Sequence, residues 1–234
     1  MIRSSSFAPR LAALALAAVC TLGQAQTAAA PAAPAASAPT LRAEVAKPLV
    51  AAQEAMKAGK PKDALARAAE AEAVASPTPY EAYMTQRIKG QAALAADDRA
   101  AALAALEKAA GNAAMPAGER QPVISLVAQL AYEAKDYARS VTWLRRYAEV
   151  GGSDEKLRLL LPQALYLAGD AKGAVDALQP VLQADEAARR TPPELTLRLL
   201  ASAQTKAGDD AGYVRTIERL AQAYPKPELW NELA

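Results

Sequence analysis

The sequence predicts an all-α fold, an α-solenoid of about five stacked helix-turn-helix units. Alanine dominates an apolar fraction of 52%, while aromatic residues reach only 5%. Small side chains let helices approach closely, whereas the core of a thick sheet needs more Val, Ile and Phe. From residue 41 onward, helical runs alternate with short polar or Gly-containing turns. Composition and alternation together favour stacked helix pairs.

The N-terminus has the layout of a cleaved secretion signal. Arg3 and Arg10 form a positively charged start, and residues 11–22 are an uncharged run. Gly23 and Ala25 then place small residues three before and one before a cut after position 25. The uncharged run is shorter than the roughly 20 residues of a membrane-spanning helix. We therefore expect residues 1–25 to be a signal peptide and the protein to be exported to the periplasm.

Other interpretations of this segment are a buried N-terminal helix of the domain, a retained signal anchor and a lipid anchor. Cys20 is the only cysteine, and a lipidated cysteine is usually preceded by a small residue. Val19 departs from that pattern because its side chain is β-branched and bulky. If the cut follows Ala25, the mature chain has no disulfide and no thiol chemistry.

Signal cleavage also changes the charge balance. Arg3 and Arg10 are the only charged residues in the first 25, so their loss from 27 basic residues leaves 25 against 25 acidic ones. The formal charge of +2 therefore belongs to the signal. The mature chain has no basic run that indicates binding to nucleic acid or to an anionic membrane, and we expect neither partner. We also expect no membrane span after cleavage.

The segments at the two ends of the repeat region have different compositions. Residues 26–40 are rich in Ala and Pro, and Pro31, Pro34 and Pro39 prevent a continuous helix. We expect this stretch to be a tether. Residues 225–234 contain the opening of a further first helix, with no polar capping helix after it. They either fold back as a stub or indicate a truncated version of a longer protein.

Five turns set the period of the repeat. They contain Ala58-Gly59-Lys60, Ala95-Ala96-Asp97, Ala134-Lys135-Asp136, Ala168-Gly169-Asp170 and Ala207-Gly208-Asp209. With residues 59, 96, 135, 169 and 208 as markers, the spacings are 37, 39, 34 and 39. The position eight before the marker is always apolar: Ala51, Ile88, Val127, Leu161 and Leu200. Five after the marker, a small residue stands in four units: Ala64, Ala101, Ser140 and Ala174, with Tyr213 as the exception.

The units resemble tetratricopeptide repeats, most clearly in residues 135–140 (KDYARS) and 169–174 (GDAKGA). The resemblance covers about residues 43–224, and it implies a right-handed α-solenoid over a domain of residues 41–224. It also implies that first helices line the concave side. The family's small residue seven before the turn is present in three units, as Ala52, Ala128 and Ala201. Lys89 and Pro162 replace it in the other two, so we expect their first helices to be shifted or bent.

Breakers and turns predict the helix limits. The five predicted pairs are 41–58 with 61–75, 80–95 with 98–110, 119–134 with 137–149, 154–168 with 171–184, and 192–207 with 210–223. Pro48, Pro162 and Pro180 fall inside these helices and are expected to shorten or kink them.

The residue inventory argues against an enzyme. The sequence contains no histidine, and its single cysteine lies in the predicted signal. This removes the commonest general base, the Ser/His and Cys/His nucleophile pairs and the usual zinc ligands. Gly151-Gly152 lacks the Lys-Ser/Thr that completes a phosphate-binding loop. We expect no catalytic residues, no metal and no cofactor.

The candidate site is a partner-binding groove along the first helices. Gln129 and Tyr132 recur as Gln163 and Tyr166 in the next unit, on one helix face. Amides bind peptide groups, and tyrosines are common at binding hot spots. The proposed groove residues are Gln53, Tyr83, Gln86, Gln129, Tyr132, Gln163, Tyr166 and Arg198. The alternative role of the two repeated tyrosines is packing against the neighbouring unit, and we expect Trp143 to pack rather than bind.

These features predict a non-enzymatic scaffold or adaptor of the periplasm or cell envelope that binds a protein or peptide in its groove. The alternative is a structural spacer or oligomerisation module of a larger envelope assembly or secretion machine.

Overall fold

A computed structural model describes residues 40–226 of the chain. This part contains ten α-helices and no strand. The helices are α1 (Ala43–Lys57), α2 (Pro61–Glu72), α3 (Pro79–Ala95), α4 (Arg99–Ala110), α5 (Ala117–Glu133), α6 (Tyr137–Glu149), α7 (Glu155–Leu167), α8 (Ala171–Ala187), α9 (Glu194–Ala207) and α10 (Asp210–Ala223). Each helix packs against the next one in sequence, and α1 also contacts α3. The described residues therefore form an all-α solenoid of five consecutive helix pairs.

One turn structure closes all five pairs. In each turn a single residue adopts the left-handed conformation: Gly59, Asp97, Lys135, Gly169 and Gly208. The N–H of the following residue donates to the carbonyl five positions earlier, as from Asp136 to Ala131 at 3.0 Å. This bond is part of the Schellman motif, which satisfies the free carbonyls at a helix end.

The residue after the left-handed one is the N-cap of the second helix. In four pairs it is an aspartate whose carboxylate accepts from the N–H three positions later: Asp98, Asp136, Asp170 and Asp209. In the first pair Lys60 provides no side-chain cap, and Pro61 follows at the first helical position, where its missing N–H costs nothing. The left-handed residue and the cap together define the register of every unit.

This register corrects the sequence prediction in the second unit. The left-handed residue there is Asp97 rather than Ala96, so the spacings between left-handed residues are 38, 38, 34 and 39. Two adjacent aspartates caused the error: Asp98 is the cap, while Asp97 occupies the left-handed position, which Asp tolerates better than most residues. The residue seven before the turn is therefore Gly90, not Lys89, and the small residue is present in this unit.

Gly90 and Leu106 show why the second unit needs this small residue. A Cβ atom built on Gly90 would lie 2.5 Å from Leu106 Cγ, and Leu106 is itself buried. Ala102, five residues after the turn, is completely buried in the same unit. Helix α3 thus approaches α4 closely at Gly90, where a larger residue would collide with Leu106.

The core consists of three apolar clusters along the solenoid. The largest joins the second, third and fourth pairs and contains Tyr83, Trp143 and Tyr147. The Trp143 indole N–H donates to Glu107 Oε1 at 2.8 Å, so the predicted packing role of Trp143 is confirmed. Smaller clusters occupy the first and last pairs.

The three prolines that were expected to shorten or kink their helices do not shorten them. Helices α1, α7 and α8 continue for several residues beyond Pro48, Pro162 and Pro180 respectively. A proline inside a helix costs about 3 kcal/mol, whereas each large apolar side chain that is buried contributes about 1.5–3 kcal/mol. Leu49 and Leu178, close to two of these prolines, are buried, so packing offsets the lost hydrogen bonds.

The described part of the chain excludes some predicted segments. The predicted signal peptide, nearly all of the tether and the start of the further helix lie in residues 1–39 and 227–234, outside the described residues. Between residues 40 and 226, no helix is both long enough and apolar enough to cross a bilayer.

Candidate functional site

An exposed amide recurs along the first helices. Six residues before the left-handed turn residue stand Gln53, Gln91, Gln129 and Gln163, and Ser202 takes this position in the fifth pair. All five side chains are exposed. We call these five residues the glutamine ladder. The ladder places one polar, uncharged group on each first helix, at one position of the repeat.

Gln91 is the member of the ladder that the sequence analysis missed. The misplaced turn assigned this position to Gly90, which is buried against α4. The signal was present, because Gln91 stands 38 residues before Gln129 and 38 after Gln53.

The predicted residues Gln129, Tyr132 and Gln163 are brought together. The Tyr132 hydroxyl donates to Gln163 Oε1 over a long distance of 3.4 Å, which connects α5 to α7. The Gln129 amide N–H donates to the carbonyl of Ser125 in its own helix at 3.1 Å. Both glutamines stay exposed, so each keeps an amide surface that faces solvent.

The repeated tyrosines pack and remain partly exposed. Tyr132 is half-buried and meets the Tyr137 ring edge-on, with centroids 5.4 Å apart. Burial raises the pKa of Tyr132, and Tyr137 adds to this effect. Tyr166 is also half-buried, and Lys206 Nζ lies 5.0 Å from its ring centroid, within the range of a cation–π contact. Each tyrosine therefore has one packed side and one side open to solvent.

Tyr83 does not lie in the groove, contrary to the sequence prediction. Its side chain is completely buried, and its hydroxyl donates to Glu119 Oε2 at 2.6 Å. Burial and this bond raise the pKa of Tyr83 well above its usual range. In the corrected register Tyr83 corresponds to Val45 of α1, which is also completely buried. Tyr83 therefore belongs to the core and not to the groove.

Gln86 is likewise engaged within the protein. Its amide N–H donates to Glu72 Oε1 at 2.8 Å, and its own oxygen is buried. Lys89 Nζ contacts the other oxygen of Glu72 at 2.5 Å. These two contacts, with Lys89 as the larger cause, lower the pKa of Glu72. Gln86 thus connects α2 to α3 instead of extending the ladder.

Arg198 lies on the ladder face of α9, one turn before Ser202. Its Nε donates to Glu194 Oε1 at 2.8 Å, and Lys226 Nζ contacts the same oxygen at 2.7 Å. Lys226 first, and Arg198 second, lower the pKa of Glu194. The predicted position of Arg198 beside the groove is therefore occupied by an exposed, ion-paired side chain.

Apolar side chains flank the ladder, and the sequence analysis did not identify them. Val50, Leu167 and Leu195 are exposed by 52%, 46% and 81%, and all three lie on first helices. Half-buried leucines stand three residues before the ladder position in the last three pairs: Leu126, Leu160 and Leu199. An exposed leucine cannot be distinguished from a core leucine by residue type, so the sequence carried no signal for these exposed apolar side chains.

Comparison with known proteins gives matches at the level of structure only. No family model matches the sequence, and a search of curated proteins finds no match. The solved structure of YrrB, described as a TPR protein with an unusual peptide-binding site, matches with a TM-score of 0.52 and 13% identity. The match covers 79% of this chain and 89% of YrrB. This chain has the tetratricopeptide-repeat fold.

Other tetratricopeptide structures agree with this assignment. MamA from MSR-1 matches with a TM-score of 0.51 and 16% identity, over 81% of this chain and 98% of MamA. A further MamA crystal structure matches with a TM-score of 0.51 and 11% identity, over 82% of this chain and 97% of that one. The predicted resemblance is thus confirmed for the fold, and the five helix pairs of residues 40–226 are tetratricopeptide units.

Proposed function

We propose that this protein is an exported, non-enzymatic scaffold of the periplasm or cell envelope that holds an extended segment of a partner protein across the glutamine ladder. The observation that carries the proposal is the recurrence of one exposed amide at the same position of four successive first helices. Packing between helices does not require a glutamine at a solvent-exposed position, since its side chain contributes little to the core there.

The chemistry of the ladder suits a peptide backbone. A carboxamide has two N–H donors and an acceptor oxygen, so it matches both the carbonyl and the N–H of an extended chain. The open sides of Tyr132 and Tyr166 add flat apolar area with a hydroxyl, which is typical of binding hot spots. The neighbouring leucines supply area whose burial contributes roughly 25 cal/mol per Å².

Two further observations support the proposal. YrrB, which shares the fold, is described as having a peptide-binding site. The absence of histidine and the predicted loss of the single cysteine leave no common nucleophile–base pair, which supports a non-enzymatic role. Export rests on the N-terminal segment, and cell fractionation with a cytoplasmic marker tests it directly.

The decisive experiment compares two sets of glutamine substitutions. The triple variant Gln91→Ala/Gln129→Ala/Gln163→Ala removes three amides of the ladder. The matched control Gln179→Ala/Gln183→Ala/Gln222→Ala removes three exposed amides from second helices. Partners captured from a periplasmic extract are identified, and their dissociation constants for purified wild type and both variants are measured by calorimetry.

We expect the ladder variant to weaken binding by at least about tenfold, while the control variant binds like the wild type. Equal affinity of the two variants would remove the ladder as the binding surface. A homo-oligomer that dissociates only in the ladder variant, seen by light scattering, would favour the oligomerisation module instead.

A further inference from the structure

Two cavities with different chemistry lie against α9, close to the ladder. The first has a volume of about 360 Å³ and is lined mainly by apolar side chains, including Leu159, Leu195 and Leu199, with Gln163 at its edge. Leu195 is the most exposed of the large apolar side chains on the described surface, at 81%. An open apolar pocket beside an exposed leucine is suited to receive an apolar side chain of a partner.

The second cavity has an apolar floor that includes Ile217 and Leu220, and two basic side chains line it. It has a volume of about 600 Å³, and its lining includes Tyr166, Arg198, Ser202, Thr205 and Lys206. No carboxylate lines it among residues 40–226. The Thr205 hydroxyl already donates to the Ala201 carbonyl at 3.1 Å, and Arg198 Nε already donates to Glu194. Ser202 and Lys206 carry further donor groups that line the cavity.

Lys206 is the cation that remains available in this cavity. Its ammonium lies 5.0 Å from the Tyr166 ring centroid, and no carboxylate within residues 40–226 forms an ion pair with it. Arg198, by contrast, is bonded to Glu194, whose Oε1 also contacts Lys226. A single carboxylate therefore serves two cations, and Lys206 is positioned by an aromatic ring without being neutralised. This surplus of positive charge is complementary to an anion.

Leu199 of the first cavity and Lys206 of the second are spaced along α9 at a distance that an extended peptide can match. Leu199 and Lys206 are seven residues apart in one helix, which corresponds to about 10 Å at 1.5 Å per residue. An extended chain rises about 3.3 Å per residue, so about three residues of a peptide cover this distance.

We infer that the partner segment is an acidic–apolar peptide: a Leu-sized apolar side chain enters the cavity of Leu159, Leu195 and Leu199, and a side-chain carboxylate three positions away binds Lys206. This inference rests on the proposed function and names the chemistry of the segment that the ladder holds. At this end of the ladder the segment follows α9, where Gln163 and Ser202 line the two cavities and bind its backbone, while the cavities select its side chains.

The test selects peptides from a random 12-residue display library against the purified protein. Selected peptides are synthesised with a fluorescent label, and their dissociation constants are measured by anisotropy. We expect the selected sequences to share an apolar residue and an Asp or Glu three positions apart. Lys206→Glu should raise the dissociation constants of these peptides at least about tenfold. The same variant should prefer peptides that carry Lys in place of the acidic residue.

Control variants separate local effects from general ones. Lys172→Glu makes the same charge change at an exposed position of α8, and Val214→Ser is the counterpart of Leu195→Ser for an exposed apolar residue of α10. Both controls should bind like the wild type, whereas Leu195→Ser should lose the preference for the apolar residue. Melting temperatures of all variants confirm that they fold.

The outcomes distinguish this inference from the proposed function. The inference alone would be overturned if the selected peptides need Gln91, Gln129 and Gln163 for binding but lack the acidic–apolar pair. It would also be overturned if they bind Lys206→Glu with unchanged affinity. A library that yields no peptide, or only peptides indifferent to the ladder glutamines, would overturn the proposed function and the inference together.

Discussion

Arg42 and Glu81 form an ion pair that attaches the start of α1 to the start of α3. Arg42 Nε lies 2.9 Å from Glu81 Oε1, and Arg42 Nη2 lies 2.9 Å from Glu81 Oε2. The carboxylate also accepts the backbone N–H groups of Arg42 and Thr78, each at 2.8 Å. The Glu81 side chain is completely buried, so it depends on these four donors for the hydrogen bonds that water would otherwise supply. One carboxylate thus caps α3 and holds the first helix pair against the second.

The first prediction concerns the pH dependence of stability. Bonds from Arg42 and then from the Thr78 backbone lower the pKa of Glu81 from its ordinary value of 4.5 to about 2. Because the pKa is lower in the folded state, the contribution of Glu81 is complete above about pH 4.5 and is lost as the pH falls towards 2. Glu81→Gln should therefore lower the melting temperature at pH 7, and its difference from the wild type should shrink between these two pH values. Thermal unfolding followed by circular dichroism measures this difference.

The exposed Glu54 of α1 provides the control for Glu81. Glu54→Gln should leave the melting temperature nearly unchanged at every pH. A constant difference between Glu81→Gln and the wild type down to pH 2 would contradict the ion-pair explanation.

The second prediction concerns the closest approach of α3 and α4. Gly90→Ala would place a Cβ atom 2.5 Å from Leu106 Cγ. Overpacking costs about 1–3 kcal/mol, while alanine gains up to about 1 kcal/mol over glycine in a helix. We therefore expect a net loss of about 1 kcal/mol, and at most about 2 kcal/mol, in the free energy of unfolding, measured by urea denaturation.

Gly118→Ala is the matched control for Gly90→Ala, since no atom lies within 4 Å of the added Cβ. It should leave stability unchanged or raise it slightly. The double variant Gly90→Ala/Leu106→Val should lose less free energy of unfolding than the two single variants lose in sum, because the smaller side chain relieves the contact. Strict additivity would show that the two residues do not meet.

The third prediction uses the left-handed turn residues. Lys135 adopts a φ of 60°, where a side chain costs about 1–2 kcal/mol. The greater freedom of glycine in the unfolded chain offsets about 0.5–1 kcal/mol of this. Lys135→Gly should thus stabilise the protein by about 0.5–1 kcal/mol, and Gly169→Lys should destabilise it by a similar amount. Chemical denaturation should show that the two substitutions change the free energy of unfolding in opposite directions. Changes in the same direction would contradict the shared turn geometry.

The fourth prediction separates a core residue from a surface residue in α3. Tyr83→Phe removes the bond to Glu119, so it should lower the free energy of unfolding by about 1 kcal/mol and leave peptide affinity unchanged. Gln91→Ala should weaken peptide binding and leave the free energy of unfolding unchanged, because Gln91 is exposed and belongs to the ladder. Denaturation and anisotropy on the same two proteins measure both effects. Weaker binding in Tyr83→Phe at full stability would restore Tyr83 to the groove.

Most helix limits follow from local sequence patterns such as aspartate caps. Helices α4, α6 and α10 begin next to an aspartate cap and end within one residue or so of the predicted limits. The end of α8 was misplaced: the prediction stopped at residue 184, whereas the helix reaches Ala187. There Arg189 adopts a left-handed conformation, and its neighbour Arg190 bonds back to Asp185. Arginine is not a usual residue for that conformation, so the sequence carried no sign of this end.

The sequence by itself determined the fold class, the number of helix pairs and four of the five turns. In three of those turns a Gly or Lys directly before an Asp marks the bend, and in the first turn Gly59 stands two residues before Pro61. The sequence also placed Gln53, Gln129 and Gln163 at one position. In the second unit Asp97 and Asp98 both fit the local turn pattern, and the tertiary structure decided between them. The 38-residue spacing of the ladder glutamines agrees with that choice. The contact between Gly90 and Leu106 resolves that choice, since steric exclusion acts between helices that are distant in sequence. In the register that this contact fits, Tyr83 is buried and Gln91 is exposed.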